Sequence, residues 1–209
     1  MIIELKGLGK MFGSTVAIND LTYTAEIPIG GRLAVCGPSG CGKSTLLSII
    51  SGIDTDYTGS VTIAPTPPVI SLSMQSPLLL PHLSAAQNVN LVAGDQKRGL
   101  GAARSLLCEL VLGGHEDDLP CELSGGMQTR VSIARALARN ADLYLFDEPF
   151  AALDLDTAKL CIDVIHKHTS HAATIAVIHS SELSRLFAEE IITFDSSPAH
   201  TYTLIKKDR

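Results

Sequence analysis

Three short stretches hold residue types that could act on a phosphorylated substrate. The first is "GPSGCGKST", which fits G-x-x-x-x-G-K-[ST]. Gly37, Pro38, Ser39, Gly40, Cys41 and Gly42 form a loop whose backbone N–H groups can wrap phosphate oxygens. Lys43 supplies a mobile positive charge to the β- and γ-phosphates of a nucleotide, Ser44 a hydroxyl for Mg²⁺, and Thr45 one more donor. The second stretch is "LYLFDEP", four apolar residues followed by Asp147 and Glu148. An Asp closing a buried strand beside a phosphate loop suits Mg²⁺, and the next residue can reach a water in line with the γ-phosphate. The same pair could instead cap the following helix. The third stretch is "LSGGMQTRVSIARALA". Ser124 can cap a helix, yet Gly125 and Gly126 open it at a cost in backbone entropy. A bare helix N-terminus suits an anion, which makes it a second phosphate site in a chain that already has one.

These residues need elements to hold them. "RLAVCG" reads as a short buried strand feeding the phosphate loop, and "KSTLLSIISG" as the helix after it. "DLYLFDEP" and "ATIAVIH" are apolar strands, with "DTAKLCIDVIHKHT" a helix between them and "SELSRLFAEE" a short helix after. "SVTI" and "VISLSM" are strands about the turn "APTPP"; "EIITFD" and "TYTLIKK" close the chain. Continuous apolar strands alternating with helices predict an α/β fold with a mostly parallel sheet covered on both faces. "IIELKGL" and "LTYTAEI" alternate, which predicts an N-terminal antiparallel β-subdomain. Residues from about Ser84 to Gly113 have a helical pattern with a break near "GDQKRG". One domain over residues 1–209 is expected, with a helical subdomain inserted at about 76–135.

Composition narrows the function. The 209 residues are 45% hydrophobic and 18% charged, with a net charge of −6, which argues against broad nucleic-acid binding. Five cysteines, an odd number without a CxxC, argue against a disulfide framework or zinc site and for a reducing cytoplasm. Cys41 stands apart because it lies in the glycine-rich loop, where a thiol reagent could find it. "MIIELKGLGK" lacks a secretory apolar region, and no apolar run approaches a membrane span, so any membrane role works through a partner.

Together the motifs resemble the ATP-binding subunit of an ABC transporter, with "LSGGMQ" matching that family's signature and the motifs in the family's order over essentially the whole chain. The resemblance implies a P-loop NTPase core, ATP and Mg²⁺ as cofactors, and ATPase activity. It implies that Phe12 stacks on adenine, although a strand-edge core residue is the other reading. Gln75 matches the glutamine loop that contacts Mg²⁺ and the attacking water. Glu148 matches the catalytic base, and Asp147 the metal-binding acid. Asp154 in "AALD" matches the residue that communicates across a dimer interface, and it could equally start a helix. His179 matches the switch histidine at the γ-phosphate, although Ser180 follows where the family usually has Asp. A head-to-tail dimer is implied, in which Ser124, Gly125, Gly126 and Gln128 contact the ATP held by the other subunit.

"PLLLPHLSAAQNV" is apolar for a surface stretch, and residues around Leu78 to Leu83 are expected to border the groove for a permease's coupling helix. The stretch resembles importer ATPases of the nitrate, sulfonate, taurine or thiamine type. The expected partners are a second copy or a homologous ATPase subunit, integral membrane permease subunits and a periplasmic or extracellular solute-binding protein, with no nucleic acid. The expected location is the cytoplasmic face of the inner membrane, peripherally bound. An exporter or lipoprotein-release ATPase, or a soluble ABC-type ATPase, remain the alternatives.

Overall fold

The computed structural model describes residues 1–93, 99–195, 199 and 202–206. The expected break near "GDQKRG" therefore falls almost wholly outside the described residues. So do Thr201 and Lys207 of the last expected strand.

The chain opens with a hairpin. Strands β1 (Ile2–Phe12) and β2 (Thr15–Glu26) pair antiparallel around Gly13 and Ser14. Gly13 takes a φ of +59°, which a tight turn requires and glycine tolerates. The sequence pattern predicts β2 only from Leu21, whereas the strand begins at Thr15. Gly7 and Asp20, both at positive φ, lie side by side where the register shifts, and this irregularity breaks the period-two pattern. Next come β3 (Arg32–Cys36), α1 (Lys43–Ile50) and β4 (Thr58–Ala64). β4 joins the hairpin to give a three-stranded sheet ordered β2-β1-β4.

The second sheet adds β5 (Ile70–Ser73), β6 (Leu143–Asp147), β7 (Ala173–Val177), β8 (Glu190–Phe194) and β9 (Tyr202–Lys206) to β3. Its order is β5-β6-β7-β3-β8-β9, parallel throughout except for β9, which runs antiparallel to β8. Helices α2 (Ala85–Asn90), α3 (Gly99–Glu109), α4 (Gly125–Ala138), α5 (Leu155–His168) and α6 (Ser181–Phe187) fill the connections. The last is shorter than "SELSRLFAEE" suggests, because Ala188 is already extended and leads the chain into β8.

Strand alternation divides the apolar residues between two cores. Tyr144, Phe146, Ala176 and Ile178 face a core built with the helices of the second half. Leu143, Leu145, Ile175 and Val177 face the other, shared with α1 and the hairpin. A strand apolar on both sides can exist only between two covers, so the continuous runs read from sequence correspond to a sheet buried on both faces.

α2, α3 and α4 pack on one another, and α4 also packs against β5. The segment entering this helical group is held by two side chains. Buried Asn88 accepts from Leu80 N at 2.7 Å and donates to the carbonyls of Leu80, Leu83 and Ser84. Arg135 donates to the carbonyls of Pro77 and Leu78. Ser84 caps α2 in a capping box with Gln87. We predict that Asn88→Ala destabilises the chain by about 2 kcal/mol in urea unfolding, because several partly buried backbone groups lose their partner together. A change near zero would show that water replaces Asn88 freely.

Candidate functional site

The phosphate loop runs from the end of β3 to the start of α1. Gly42 is the N-cap of α1 with φ +96°, and no side chain caps that helix, so its first N–H groups stay available to a ligand. Gly42 also has no room for a side chain, since a Cβ would lie 2.5 Å from Ala17 O on β2. The hairpin thus backs the loop directly. Lys43 Nζ donates to Gly37 O at 3.0 Å and Pro38 O at 2.7 Å. Cys41 is fully buried, with Sγ 3.6 Å from Lys43 Nζ. A thiol reagent cannot reach it in this conformation, contrary to the expectation from its place in the loop.

Above the loop lies a cleft of about 330 Å³ lined by Phe12, Thr15, Val16 and Ala17 on one side. Ser39, Gly40, Gly42, Lys43, Ser44 and Thr45 form its floor, and Gln75, Glu148 and His179 its far wall. Phe12 is 54% exposed, so it is not a core residue of the strand edge. The far wall is joined by hydrogen bonds. Glu148 Oε1 accepts from His179 Nε2 at 2.7 Å, and Glu148 Oε2 accepts from Gln75 Nε2 at 3.2 Å. Glu148 has φ +50°, a conformation that residues other than Gly, Asn and Asp seldom adopt and that costs roughly 1–2 kcal/mol. Its N–H donates to Val177 O, which locks the turn to the neighbouring strand.

Asp147 is buried at the end of β6, and its Oδ1 accepts from Ser44 Oγ at 3.0 Å. Burial pushes its pKa above the ordinary 3.8, with the charge of Glu148 adding to the effect and the Ser44 hydrogen bond opposing it. Among the described residues no three His, Cys, Asp or Glu side chains gather to hold a metal by themselves. Mg²⁺ does not need such a set: it binds one or two carboxylates and takes substrate phosphates and water for the rest. A hydroxyl beside a desolvated carboxyl, next to a phosphate loop, fits that requirement.

None of Ser124, Gly125, Gly126 or Gln128 lines this cleft. Ser124 caps α4, its Oγ accepting from Met127 N. Gln128 Nε2 donates to Pro120 O and Leu123 O, fastening the segment before the helix. The two glycines differ. A Cβ on Gly125 would meet nothing within 4 Å, while one on Gly126 would lie 2.9 Å from Ala152 O. Gly126 is therefore needed where α4 seats on the turn after Glu148. Asp154 is exposed and caps α5, with Oδ1 accepting from Thr157 N at 2.9 Å, so its helix-starting role is realised. Sequence reading did not single out Thr15, Val16, Ala17, Lys10 or Arg135. The turn at Gly13-Ser14 was the available signal for the first three.

A parallel sheet whose strand ends carry a glycine loop, a lysine and an acid defines a P-loop NTPase. Comparison with known proteins narrows this further. The ABC transporter family's sequence profile matches residues 21–151, and the chain belongs to that family. It is 35% identical to an aliphatic sulfonates import ATP-binding protein, SsuB 2, of Burkholderia cenocepacia, over 99% of this chain and 78% of the relative. It is 37% identical to SsuB of Bacillus licheniformis over 99% of this chain and 83% of the relative. It is 33% identical to the glutamate transport ATP-binding protein GluA of Corynebacterium glutamicum over 100% and 96% of the two chains. Among solved structures it resembles the dimeric ATP-binding cassette MJ0796 in a post-hydrolysis state bound to ADP and Pi. That match has a TM-score of 0.85 and 27% identity, and covers 99% of this chain and 100% of that one.

Two predictions follow from the geometry. Gly126→Ala should destabilise the chain by roughly 1–3 kcal/mol through overpacking, whereas Gly125→Ala should be neutral or slightly stabilising. Urea unfolding of the two variants separates them, and equal effects would contradict the packing difference. Asp147→Asn keeps an acceptor for Ser44 and removes a charge that the fold disfavours. In the native chain, stability is lost as pH rises from 3.8 through the raised pKa of Asp147, because the unfolded chain ionises first. The variant should therefore unfold at higher temperature than the native chain at neutral pH and match it below 3.8. A variant less stable at neutral pH would reverse the sign.

Proposed function

We propose that this chain is the ATP-hydrolysing subunit of an ABC transporter, coupling ATP-driven closure of a dimer, and then hydrolysis, to solute import through a partner membrane permease. The reading is carried by one observation. Glu148 accepts hydrogen bonds from Gln75 and His179 in a cleft floored by the phosphate loop, while the signature residues lie outside it.

In this reading residues 1–209 form one ATPase domain with a helical subdomain at about 76–135. Phe12 stacks on adenine, and residues 37–45 cradle the phosphates. Lys43 leaves the carbonyls of Gly37 and Pro38 to pair with the β- and γ-phosphates. Mg²⁺, when bound through Ser44, Gln75 and Asp147, neutralises phosphate charge. Glu148 takes a proton from the water that attacks the γ-phosphorus, and ADP leaves with its β-phosphate oxygen. His179 holds the γ-phosphate and keeps Glu148 oriented until water enters. Ser124, Gly125, Gly126 and Gln128 serve the ATP of a second subunit, with Asp154 communicating across the interface. The helix N-terminus at α1 faces the cleft and the Ser124-capped one at α4 does not, which favours two subunits sharing each nucleotide.

Relatives named for sulfonate import and glutamate transport favour import over an exporter, a lipoprotein-release system or a soluble ABC-type ATPase. Among the described residues no helix is long and apolar enough to cross a membrane, which suits peripheral binding to permease subunits at the cytoplasmic face of the inner membrane. Leu78 and Leu80 are exposed at the entry to the helical group and would border the permease's docking groove. A solute-binding protein would complete the system.

Glu148→Gln should keep ATP binding, lower turnover roughly 100-fold or more and accumulate an ATP-bound dimer in size-exclusion chromatography. Turnover at the native rate would remove Glu148 from the role of base. ATPase activity per subunit should also fall on dilution below the dimer affinity, and constancy would remove the shared-site reading.

A further inference from the structure

Lys10 lies two residues before Phe12 on β1 and is 6% exposed. Its ammonium donates to Asp54 Oδ1 at 2.9 Å and to Asp56 O, with Asp56 Oδ2 at 3.4 Å. The hydrogen bond to Asp54 raises its pKa, so the charge persists despite burial. Asp54 is itself held: its Oδ1 accepts from Asp56 N at 3.0 Å, and its N–H donates to Ser48 O at the end of α1. The same ammonium sits over the Phe12 ring, 4.9 Å from its centroid. A cation that has lost most of its water binds an aromatic face more strongly than an exposed one. Phe12 is otherwise a half-exposed ring at the end of a hairpin with irregular register. Such a ring would lose rotamer freedom on stacking against a base, and that loss weakens binding.

We propose that Lys10 is a positioning residue for the nucleotide base: fixed by Asp54 and Asp56, it holds the Phe12 ring from one face and leaves the other to adenine. The inference rests on reading the cleft as an ATP site. It ties the base platform to the far end of α1, whose near end carries the phosphate loop. One helix then sets the spacing between the two halves of the nucleotide.

The test is calorimetric titration of the full chain with MgATP and with magnesium tripolyphosphate, which has the phosphates but no base. Lys10→Met should weaken ATP binding roughly threefold to thirtyfold and leave tripolyphosphate binding unchanged. Lys10→Arg should restore ATP affinity, since guanidinium also binds an aromatic face. In a Phe12→Ala background, Lys10→Met should have no further effect on ATP. If Lys10→Met folds poorly, Asp54→Asn loosens the same ammonium and should give the same selective loss. Equal weakening of both ligands would reduce Lys10 to a structural tie and overturn the proposal, as would unchanged ATP affinity. A native chain that binds neither ligand would remove the nucleotide reading itself, and the proposal with it.

Discussion

The site depends on four parallel strands ending side by side. The order β5-β6-β7-β3 brings to one edge the segments that follow those strands: Gln75, the Asp147–Glu148 pair, His179 and the phosphate loop. Register sets the detail. Asp147 pairs with Val177, so Glu148 emerges beside the segment leading to His179. Ser73 pairs with Phe146, which places Gln75 on the opposite side of Glu148. A one-residue slip would turn every one of these strands inside out and bury polar residues in two apolar cores, so hydrophobic burial enforces the alignment of the chemical groups. This is the general logic of open α/β sheets, which bind ligands beyond the carboxyl ends of their strands.

The hairpin contributes from the other side. Ala17 O approaches the loop so closely that only glycine fits at position 42, and the same hairpin carries Phe12 to the rim of the cleft. α4 approaches the turn after Glu148 in a similar way, through Gly126 against Ala152 O. The pair of glycines at the start of α4 therefore divides its work. Gly126 is required by contact inside the chain, while Gly125 faces open space and has no such requirement. A helix start open at one glycine and seated at the next on the turn after Glu148 sets α4 beside the wall of the cleft through the single close approach of Gly126 to Ala152 O.

Much of this was legible in the sequence because it rests on short-range rules. The phosphate loop needs its glycines, lysine and hydroxyl in one contiguous stretch, and the buried strands announce themselves by unbroken apolar runs. What escaped depends on long-range contact. The early start of β2 was hidden by the irregularity at Gly7 and Asp20. The burial of Cys41 follows from how the loop folds under itself. Nothing in the neighbourhood of Lys10 in sequence shows that its partners are Asp54 and Asp56. The local roles of Gln128 and Asp154 as fasteners were readable only in part: Asp154 is a good N-cap by type, whereas Gln128 reaches back to carbonyls that sequence cannot place.

The energetics of the site run against those of the fold. Asp147 carries a charge the interior disfavours, Glu148 sits in a strained backbone conformation, and Gly42 gives up conformational freedom at the helix start. Each has a neighbour that holds it in place: Ser44 for Asp147, Val177 O for the Glu148 turn, Ala17 O for Gly42. A divalent cation with phosphates would offset the first cost most directly, since it favours the ionised carboxylate that burial opposes. The same burial that raises the pKa of Asp147 thus leaves a carboxyl whose charged form is most stable with a cation beside it.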